Sequence, residues 1–311
     1  MPDELVLVTG GAGFIGSHLI SLLVDEGYLI RVIDNFSSGR EENLENIKDK
    51  IEIIKGDICD AALVKKHAKD ADYIIHLAAQ TSVQHSIKHP DISFKNNLQG
   101  SLNILEAARN SKKVKKFVFA SSAAIYGDNQ NLPLEEDDLS SPVLSPYALE
   151  KLTIENYLKL YHSLYGLNYA ALRFFNVYGP RQNPNSEYSG VISKFVKQIS
   201  AGQNLHIFGD GTQSRDFIYV SDIARACLDA MSAKNPQICN IATGESVSLL
   251  ELIRLLDVTL GKTVTTKFED ARKGDIKHSL ANINHAHQKL RFKTKINIAQ
   301  GLKLLLDSDA K

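Results

Sequence analysis

The sequence predicts an α/β protein built on a doubly wound parallel sheet, with a smaller C-terminal lobe. Short apolar, β-branched runs alternate with helical stretches through the first half of the 311 residues, as expected for parallel strands covered on both faces. A glycine-rich turn follows the first run directly, and the regular alternation ends after Phe174. These observations predict a large N-terminal domain followed by a less regular one.

The individual elements follow from the positions of these runs. Strands are expected at residues 5–9, 30–34, 51–55, 73–77, 116–120 and 169–174. Long helices are expected at 15–26, 92–110 and 146–164, and shorter ones at 191–201, 249–260 and 298–306. Residues 176–188 hold two prolines and three asparagines, which predicts a loop over a ligand cleft.

Composition and charge exclude several classes of protein. Lys plus Arg and Asp plus Glu both total 36, so no overall field favours nucleic acid or an acidic membrane. The three cysteines, Cys59, Cys227 and Cys239, lack CxxC spacing and indicate reduced thiols. With no signal-like N-terminus and no long apolar run, we expect a cytoplasmic protein that does not contact the membrane. The histidines show no ligand cluster, so no metal site is expected.

The glycine-rich turn predicts a dinucleotide site. Residues 9–16 read TGGAGFIG and lie between a predicted strand and a predicted helix. Such glycines let backbone N–H groups approach a pyrophosphate at the positive end of a helix. The motif alone would also suit a plain tight turn, but its position after the first strand favours Gly10, Gly13 and Gly16 as dinucleotide-binding residues.

The second strand ends on a carboxylate that indicates which dinucleotide binds. Asp34 can accept hydrogen bonds from both adenosine ribose hydroxyls and would repel a 2′-phosphate, which favours NAD over NADP. Asn35, Ser37 and Ser38 can complete the polar pocket, and Asp57 can accept from the adenine amino group or cap a helix.

A second constellation suits interconversion of a carbonyl and an alcohol. Tyr147 and Lys151 are four residues apart and share a helix face, and Ser145 and Pro146 predict the start of that helix. Ser121 and Ser122 end the fifth strand. Tyrosine acts as a base if its pKa falls from about 10 towards 7, which takes about 4 kcal/mol. We expect Lys151 and an oxidised nicotinamide to supply that free energy.

In this order, the motifs resemble the extended short-chain dehydrogenase/reductases of the nucleotide-sugar epimerase/dehydratase group. The matching segments are TGGAGFIG at 9–16, HLAA at 76–79, SSAAIYG at 121–127, YALEK at 147–151, RFFNVYGPRQ at 173–182 and RDFIYV at 215–220. The resemblance implies a Rossmann domain over 1–175 plus about 215–237, and a nucleotide-sugar-binding lobe over 176–214 and 238–311. It also implies tightly held NAD and Ser122, Tyr147 and Lys151 as catalytic residues. The implied cofactor contacts also include Phe14, Ile15, Ile58, Leu77, Ala78, Ala79, Gln80, Asn96, Ser121 and Phe174.

The resemblance also implies the reaction and the substrate contacts. Related dehydratases and decarboxylases carry a carboxylate where this chain has Ala123 and Ala124, so we expect a UDP-hexose 4-epimerase working through a 4-keto intermediate. Ser279 occupies a position that is small in enzymes accepting N-acetyl sugars, so UDP-GlcNAc stands beside UDP-glucose as a candidate. The implied substrate contacts are Thr81, Ser82, Ser122, Asn176, Gln182, Val191, Leu205, Ile207, Phe208, Arg215, Arg272, Asp275 and Ser279.

Two predicted helices suggest how the protein assembles, and two alternative functions are also weighed. The helices at 92–110 and 146–164 carry apolar stripes, and the resemblance implies that such helices pair in a homodimer's four-helix bundle. The stripes could instead simply cover the sheet. The alternatives in function are another nucleotide-sugar oxidoreductase or epimerase, and a non-catalytic NAD-sensing regulator, which would not need Tyr147 and Lys151.

Overall fold

The computed structural model describes residues 3–139, 141–183, 190–271 and 276–309. Its strands are β1 (Leu5–Thr9), β2 (Leu29–Asp34), β3 (Glu52–Lys55), β4 (Tyr73–His76), β5 (Lys116–Ser122), β6 (Tyr169–Phe174), β7 (Asn176–Tyr178), β8 (Leu205–Phe208), β9 (Ser214–Arg215), β10 (Phe217–Tyr219), β11 (Gln237–Ile241), β12 (Val247–Ser248) and β13 (Thr266–Glu269). Its helices are α1 (Phe14–Asp25), α2 (Ala61–Ala68), α3 (Val83–Lys88), α4 (Pro90–Ser93), α5 (Gly100–Asn110), α6 (Pro146–Tyr165), α7 (Val191–Ser200), α8 (Val220–Met231), α9 (Leu249–Leu260), α10 (Asn284–Leu290) and α11 (Ile298–Asp309). The 3₁₀ segments Glu41–Lys50 and Ala123–Tyr126 and the π-helical segment Phe94–Gln99 complete the regular structure.

A seven-stranded parallel sheet forms the centre of the larger domain, in the order β11-β6-β5-β4-β1-β2-β3. The predicted fold class is confirmed, and each of the six predicted strands is present within two residues of its expected ends. The strand order reverses between β1 and β4, and ligands bind beside the carboxyl ends of strands at such a switch point.

The seventh strand corrects the domain boundary expected from the sequence. β11 pairs with β6 in parallel register, whereas the family resemblance implies that residues 238–311 belong to the smaller lobe. Its sequence, QICNI, is not a continuous apolar run because it contains Asn240. In the structure Asn240 is buried and hydrogen-bonded to Tyr126 and to the Leu134 carbonyl. A strand that satisfies polar groups in this way lacks the usual hydrophobic signature.

Alternation along the strands creates two apolar layers. Val6 and Val8 of β1 face a cluster that includes α1 and α8, whereas Leu7 faces a cluster built from α2, α5 and α6. Adjacent strand residues point to opposite faces, so both faces of the sheet are covered. This arrangement fixes the sheet edge on which the functional side chains stand.

The helices nearest that edge begin and end where their sequences indicate. The Ser145 hydroxyl caps α6 by accepting from the Ala148 N–H at 3.2 Å, Pro146 takes the first helical position, and Gly166 ends the helix with φ 72°. The helix expected over 92–110 is present as α4, the π segment and α5. In the π segment Asn96 lines the central cavity and Asn97 is buried.

The smaller lobe has its own core and short sheets. β8 pairs with β13, and β9 pairs with β12, while α7, α9 and α11 contribute side chains to one apolar cluster. The segment 176–188, expected to be a loop, begins with β7, which pairs with β10. Residues 184–188 of that segment lie outside the described part of the chain.

Candidate active site

A cavity of about 750 Å³ lies at the carboxyl edge of the central sheet. Every residue that the sequence predicted to contact the cofactor lines it. These residues are Gly10, Gly13, Phe14, Ile15, Gly16, Asp34, Asn35, Ser37, Ser38, Asp57, Ile58, Leu77, Ala78, Ala79, Gln80, Asn96, Ser121, Tyr147, Lys151 and Phe174. The sequence motifs are therefore brought together into one cleft of dinucleotide size.

The glycine loop has the close backbone packing that a pyrophosphate cradle needs. Gly10 has φ 73°, and a Cβ there would lie 2.7 Å from the Ala78 nitrogen. At Gly16 an added Cβ would lie 2.2 Å from the Gly10 carbonyl oxygen. Gly13 precedes α1, whose first N–H groups have no intrahelical acceptor and can bind an anion. The residues present therefore fit a dinucleotide.

Adding one methyl group at Gly16 tests this cradle. We expect Gly16→Ala to lose bound NAD, because the loop must move to relieve the 2.2 Å contact. Nucleotide released from the denatured purified protein would be quantified by chromatography. Gly202→Ala is the control: its φ is 65° but nothing lies within 4 Å of the added Cβ, so it should lose some stability and keep NAD. Wild-type NAD content in Gly16→Ala would contradict the cradle.

Two carboxylates line the end of the cleft that is predicted to bind adenosine. Asp34 is buried, and its two oxygens accept from the N–H groups of Ala12 and Phe36, each at 2.8 Å. Burial raises the pKa of Asp34, and the two N–H bonds act against that rise. Asp57 accepts from the Asn35 amide at 2.9 Å and from the Cys59 N–H at 2.8 Å. Both carboxylates are thus fixed in orientation towards the cleft, and Asp60, not Asp57, caps α2.

The predicted catalytic groups lie in the same cavity as the glycine loop. Tyr147 is 7% exposed and Lys151 5% exposed, and both line the cavity. The Lys151 ammonium donates to the Ala120 carbonyl at 2.7 Å and lies 5.7 Å from the centre of the Tyr147 ring. Ser122 stands at the end of β5, where its hydroxyl accepts from the Ala124 N–H at 3.2 Å. An alcohol, a proton acceptor and a cation can therefore be gathered at one point.

The surroundings that the protein itself supplies raise the pKa of Tyr147. Burial is the main cause, because removing a phenolate from water disfavours its charge, and the neighbouring Ser122 hydroxyl acts in the opposite direction. Lys151 and a bound oxidised nicotinamide would each add a positive charge that favours the phenolate. The lowered pKa expected with the cofactor in place therefore stays a prediction.

The lysine charge should set an alkaline limit on activity. Burial lowers the pKa of Lys151 to about 8, although Glu150 and Glu155 act in the opposite direction. Lys151 therefore loses its proton as the pH rises through about 8, and we expect turnover to fall over that range. Initial rates at saturating substrate across this range measure it. In Glu150→Gln the fall should begin at lower pH, and a rate that stays constant through the range would contradict the assignment.

A buried network fixes the wall beside the catalytic residues. The Asn97 side-chain amide accepts from the Gln80 backbone N–H and donates to the Gln80 backbone carbonyl. The same amide nitrogen donates to the Glu150 carboxylate at 2.7 Å. Ser93 donates to the same carboxylate oxygen at 2.7 Å. The π segment is thereby tied to α6 one residue before Lys151, and it positions Gln80 at the cleft.

A second network lies behind the end of β5. Glu155 and Arg173 form a buried ion pair with side chains 0% and 1% exposed. Glu155 also accepts from the Ser121 hydroxyl at 2.5 Å, and Arg173 donates to the Tyr126 hydroxyl at 2.8 Å. This pair links the cleft wall to the domain core.

The predicted substrate contacts are only partly brought together. Thr81, Ser122 and Gln182 line the cavity, whereas Ser82 is buried as the cap of α3. The side chains of Leu205 and Ile207 are fully buried in the lobe's apolar core, because strand alternation turns them inward. Their side chains therefore pack inside the lobe, and the nucleoside contact expected of this segment remains a prediction.

The other predicted contacts that the structure describes lie outside the cavity lining. Arg215 donates to the Ser214 and Lys277 carbonyls, Asn176 donates to the Asp216 carbonyl, and the Ser279 N–H donates to the Ser214 carbonyl. Val191 begins α7 and Phe208 ends β8. Arg272 and Asp275 lie outside the described residues. The roles of all these residues remain predictions.

Several cavity residues were missed by sequence analysis. Arg40, Asn43, His85 and Arg181 all line the cleft. Each comes from a loop or a short helix with no periodic signal, so its direction depends on tertiary contacts. Among the described residues, His85 Nδ1 is buried without a hydrogen-bond partner.

The fold and cleft together define an enzyme that uses a nicotinamide dinucleotide to interconvert an alcohol and a carbonyl. The chain belongs to the NAD dependent epimerase/dehydratase family, whose sequence profile matches residues 6–242, and NAD is its cofactor. This confirms the resemblance seen in the motifs.

Individual relatives match over nearly the whole chain. A UDP-N-acetylglucosamine 4-epimerase from Methanobrevibacter ruminantium, solved with UDP-N-acetylmuramic acid, is 43% identical, has a TM-score of 0.95, and aligns over 100% of this chain and 99% of its own. A Thermotoga maritima UDP-glucose 4-epimerase solved with UDP-glucose is 38% identical, with a TM-score of 0.93 and 99% of each chain covered. The UDP-glucose 4-epimerase of Mycolicibacterium smegmatis is 38% identical over 95% of both chains.

The described residues contain no cluster of three or more potential metal-ligating side chains. Within the same residues, no helix is both long and apolar enough to span a membrane.

Proposed function

We propose that the chain is an NAD-dependent 4-epimerase of a UDP-hexose. The observation that carries this proposal is the convergence of Ser122, Tyr147 and Lys151 on the cavity that also contains the glycine cradle. A regulator that only senses NAD would not need a buried tyrosine–lysine pair beside the nicotinamide end of the cleft.

The chain's own residues have distinct tasks in this reaction. Tyr147 accepts the proton of the sugar O4 hydroxyl and later returns it, and Ser122 holds that oxygen close to the phenol. Lys151 stabilises the ionised tyrosine by its charge. Bound NAD supplies the reversible hydride transfer between the alcohol and the 4-keto sugar. Inversion requires the sugar to turn while its diphosphate stays fixed, so binding energy must come mainly from the nucleotide.

The segment after the fifth strand favours epimerisation over elimination. Ala123 and Ala124 follow Ser122 and offer no carboxylate to remove or deliver a second proton. The cavity lining holds the carboxylates Asp34 and Asp57, and both belong to its adenosine end. Reversible oxidation therefore needs only groups that are present beside Tyr147.

Two sugar pairs are candidates for the substrate. The relatives named above act, by name, on UDP-glucose or on UDP-N-acetylglucosamine. We propose UDP-glucose/UDP-galactose as the first pair and UDP-GlcNAc/UDP-GalNAc as the second. Ser279, a small side chain, supports room for an acetamido group, and Arg215, with Arg272 by resemblance, supports binding of the diphosphate.

A direct product analysis tests the function. UDP-glucose and UDP-GlcNAc would be incubated separately with the purified protein without added NAD, and the products identified by NMR. Inversion at C4 with no net formation of NADH is expected for at least one of them. Absence of C4 inversion with both sugars would overturn the proposed function.

We also propose a cytoplasmic homodimer assembled through α5, α6 and their neighbours. Large apolar side chains are exposed in the single chain on α6 and on the π segment before α5: Leu149 by 53%, Leu160 by 48% and Leu164 by 59% on α6, and Phe94 by 53% on the π segment. Their spacing suits pairing with the same helices of a second copy. Sedimentation analysis of the wild type and of Leu160→Glu would test it, since the variant should shift towards monomer.

A further inference from the structure

Arg181 has an unusual backbone at the wall of the cleft. Its φ is 67°, in the left-handed region that non-glycine residues rarely occupy. Arg181 lines the same cavity as the glycine loop. Within the described ranges, no hydrogen-bond or ion-pair partner of its guanidinium is found. Strained backbone of this kind persists where the surroundings impose it, and it is often found at ligand sites.

The residues on either side hold Arg181 in place. The Pro180 carbonyl is hydrogen-bonded to His18 Nε2 at 3.0 Å, and His18 belongs to α1. On the other side, the Gln182 amide oxygen accepts from the Ser193 hydroxyl of α7, and its nitrogen donates to the Val177 carbonyl at 3.4 Å. Arg181 is therefore anchored both to the dinucleotide domain and to the smaller lobe.

Among the residues that the structure describes, no carboxylate pairs with the Arg181 guanidinium. Its neighbour α1 presents a positive N-terminus to the cleft, and the Arg181 charge itself contributes to lowering the pKa of His18. The cavity carboxylates are Asp34, which ends β2, and Asp57, which follows β3. Both strands lie on the opposite side of β1 from β6 and β11. A guanidinium and a helix N-terminus that face one cavity together form a site for an anion.

We propose that Arg181 binds a phosphate of a nucleotide diphosphate in this cleft. Guanidinium groups pair with phosphate oxygens in a bidentate manner. The diphosphate has two sources: the pyrophosphate of NAD, or the diphosphate of the nucleotide-sugar substrate. The second source rests on the proposed function, whereas the first does not.

Arg181→Asn separates binding from backbone strain. Asparagine tolerates the left-handed conformation better than arginine, so the variant should be at least as stable as the wild type. We expect phosphate binding to weaken about tenfold or more, as for the loss of a charge-assisted hydrogen bond. Arg291→Asn is the matched control, because Arg291 has φ 58° at the end of α10 and does not line the cavity. Arg181→Lys should restore part of the loss.

Two measurements on the holoenzyme distinguish the sources. The first is the rate at which bound NAD exchanges with labelled NAD, and the second is the affinity for UDP by titration calorimetry. Faster NAD exchange identifies the cofactor pyrophosphate, and weaker UDP binding with unchanged exchange identifies the substrate. If both match the wild type, the proposal is overturned. Neither measurement needs turnover. If the wild type binds UDP but does not invert C4, the proposed function is overturned, while the role of Arg181 can still be tested.

Discussion

Tyr147→Phe should reduce the rate of C4 inversion about a thousandfold, the scale expected when an acid–base group is removed. In the proposed mechanism the Tyr147 phenolate accepts the proton, and phenylalanine keeps the buried ring while removing the hydroxyl. NAD content and UDP affinity should stay near wild-type values, since the glycine cradle and the lobe are untouched. NMR time courses with UDP-glucose and UDP-GlcNAc would measure the loss.

A tyrosine elsewhere on the same helix provides the control. Tyr165 is 50% exposed at the end of α6 and packs beneath the Arg109 guanidinium. Tyr165→Phe removes an equivalent hydroxyl far from the cleft and should retain full turnover. If Tyr147→Phe inverted C4 at a rate within about twofold of the wild type, the tyrosine would not be the acid–base group, and the NAD-sensing alternative would regain support.

The dinucleotide end of the cleft was predictable because its determinants are local in sequence. Strand, glycine turn and helix occupy residues 5–25 without interruption. Gly16 is required by a backbone contact within that segment, and Gly10 by its positive φ of 73°. Asp34 stands at a strand end, where parallel topology alone sends it towards the cleft. Tyr147 and Lys151 share a helix whose start is marked by Ser145 and Pro146.

The substrate side was harder to predict because its residues depend on contacts distant in sequence. Arg181 is placed by a hydrogen bond between Pro180 and His18, 162 residues apart. The resemblance implies a nucleoside contact for Leu205 and Ile207, but it does not show that alternation along β8 buries both side chains. The sequence likewise shows Lys151 four residues after Tyr147 but not how far burial raises the pKa of the tyrosine.

Glu155→Gln should produce the largest loss of stability, because it leaves a buried guanidinium without its counter-charge. Arg173 Nε and Nη2 donate to the two Glu155 carboxylate oxygens at 3.0 and 2.7 Å. Both side chains are almost completely buried. Removing one partner of such a pair costs about 3–5 kcal/mol, since the desolvated charge that remains has lost its compensation.

The same substitution should also change the chemistry of the site. Glu155 raises the pKa of Lys151, so its loss should lower that pKa further below about 8 and move the alkaline fall in activity to lower pH. The Ser121 hydroxyl loses the carboxylate it donates to. We expect a Tm about 10 °C lower, measured by calorimetry, together with the shifted pH profile.

Two further variants separate the buried charge from other effects of substitution. Glu45→Gln removes a partner of Lys48 in a pair with side chains 61% and 52% exposed, and it should leave the Tm close to that of the wild type because solvent screens the pair. Replacing the buried pair together, with Glu155→Leu and Arg173→Met, should recover most of the stability because no unpaired charge remains. It should not restore the pH profile, since the carboxylate that acts on Lys151 is still missing. If the Tm of Glu155→Gln equals that of the wild type, the Glu155 carboxylate does not compensate the charge of Arg173. The predicted effect of Glu155 on the pKa of Lys151 would then be unsupported.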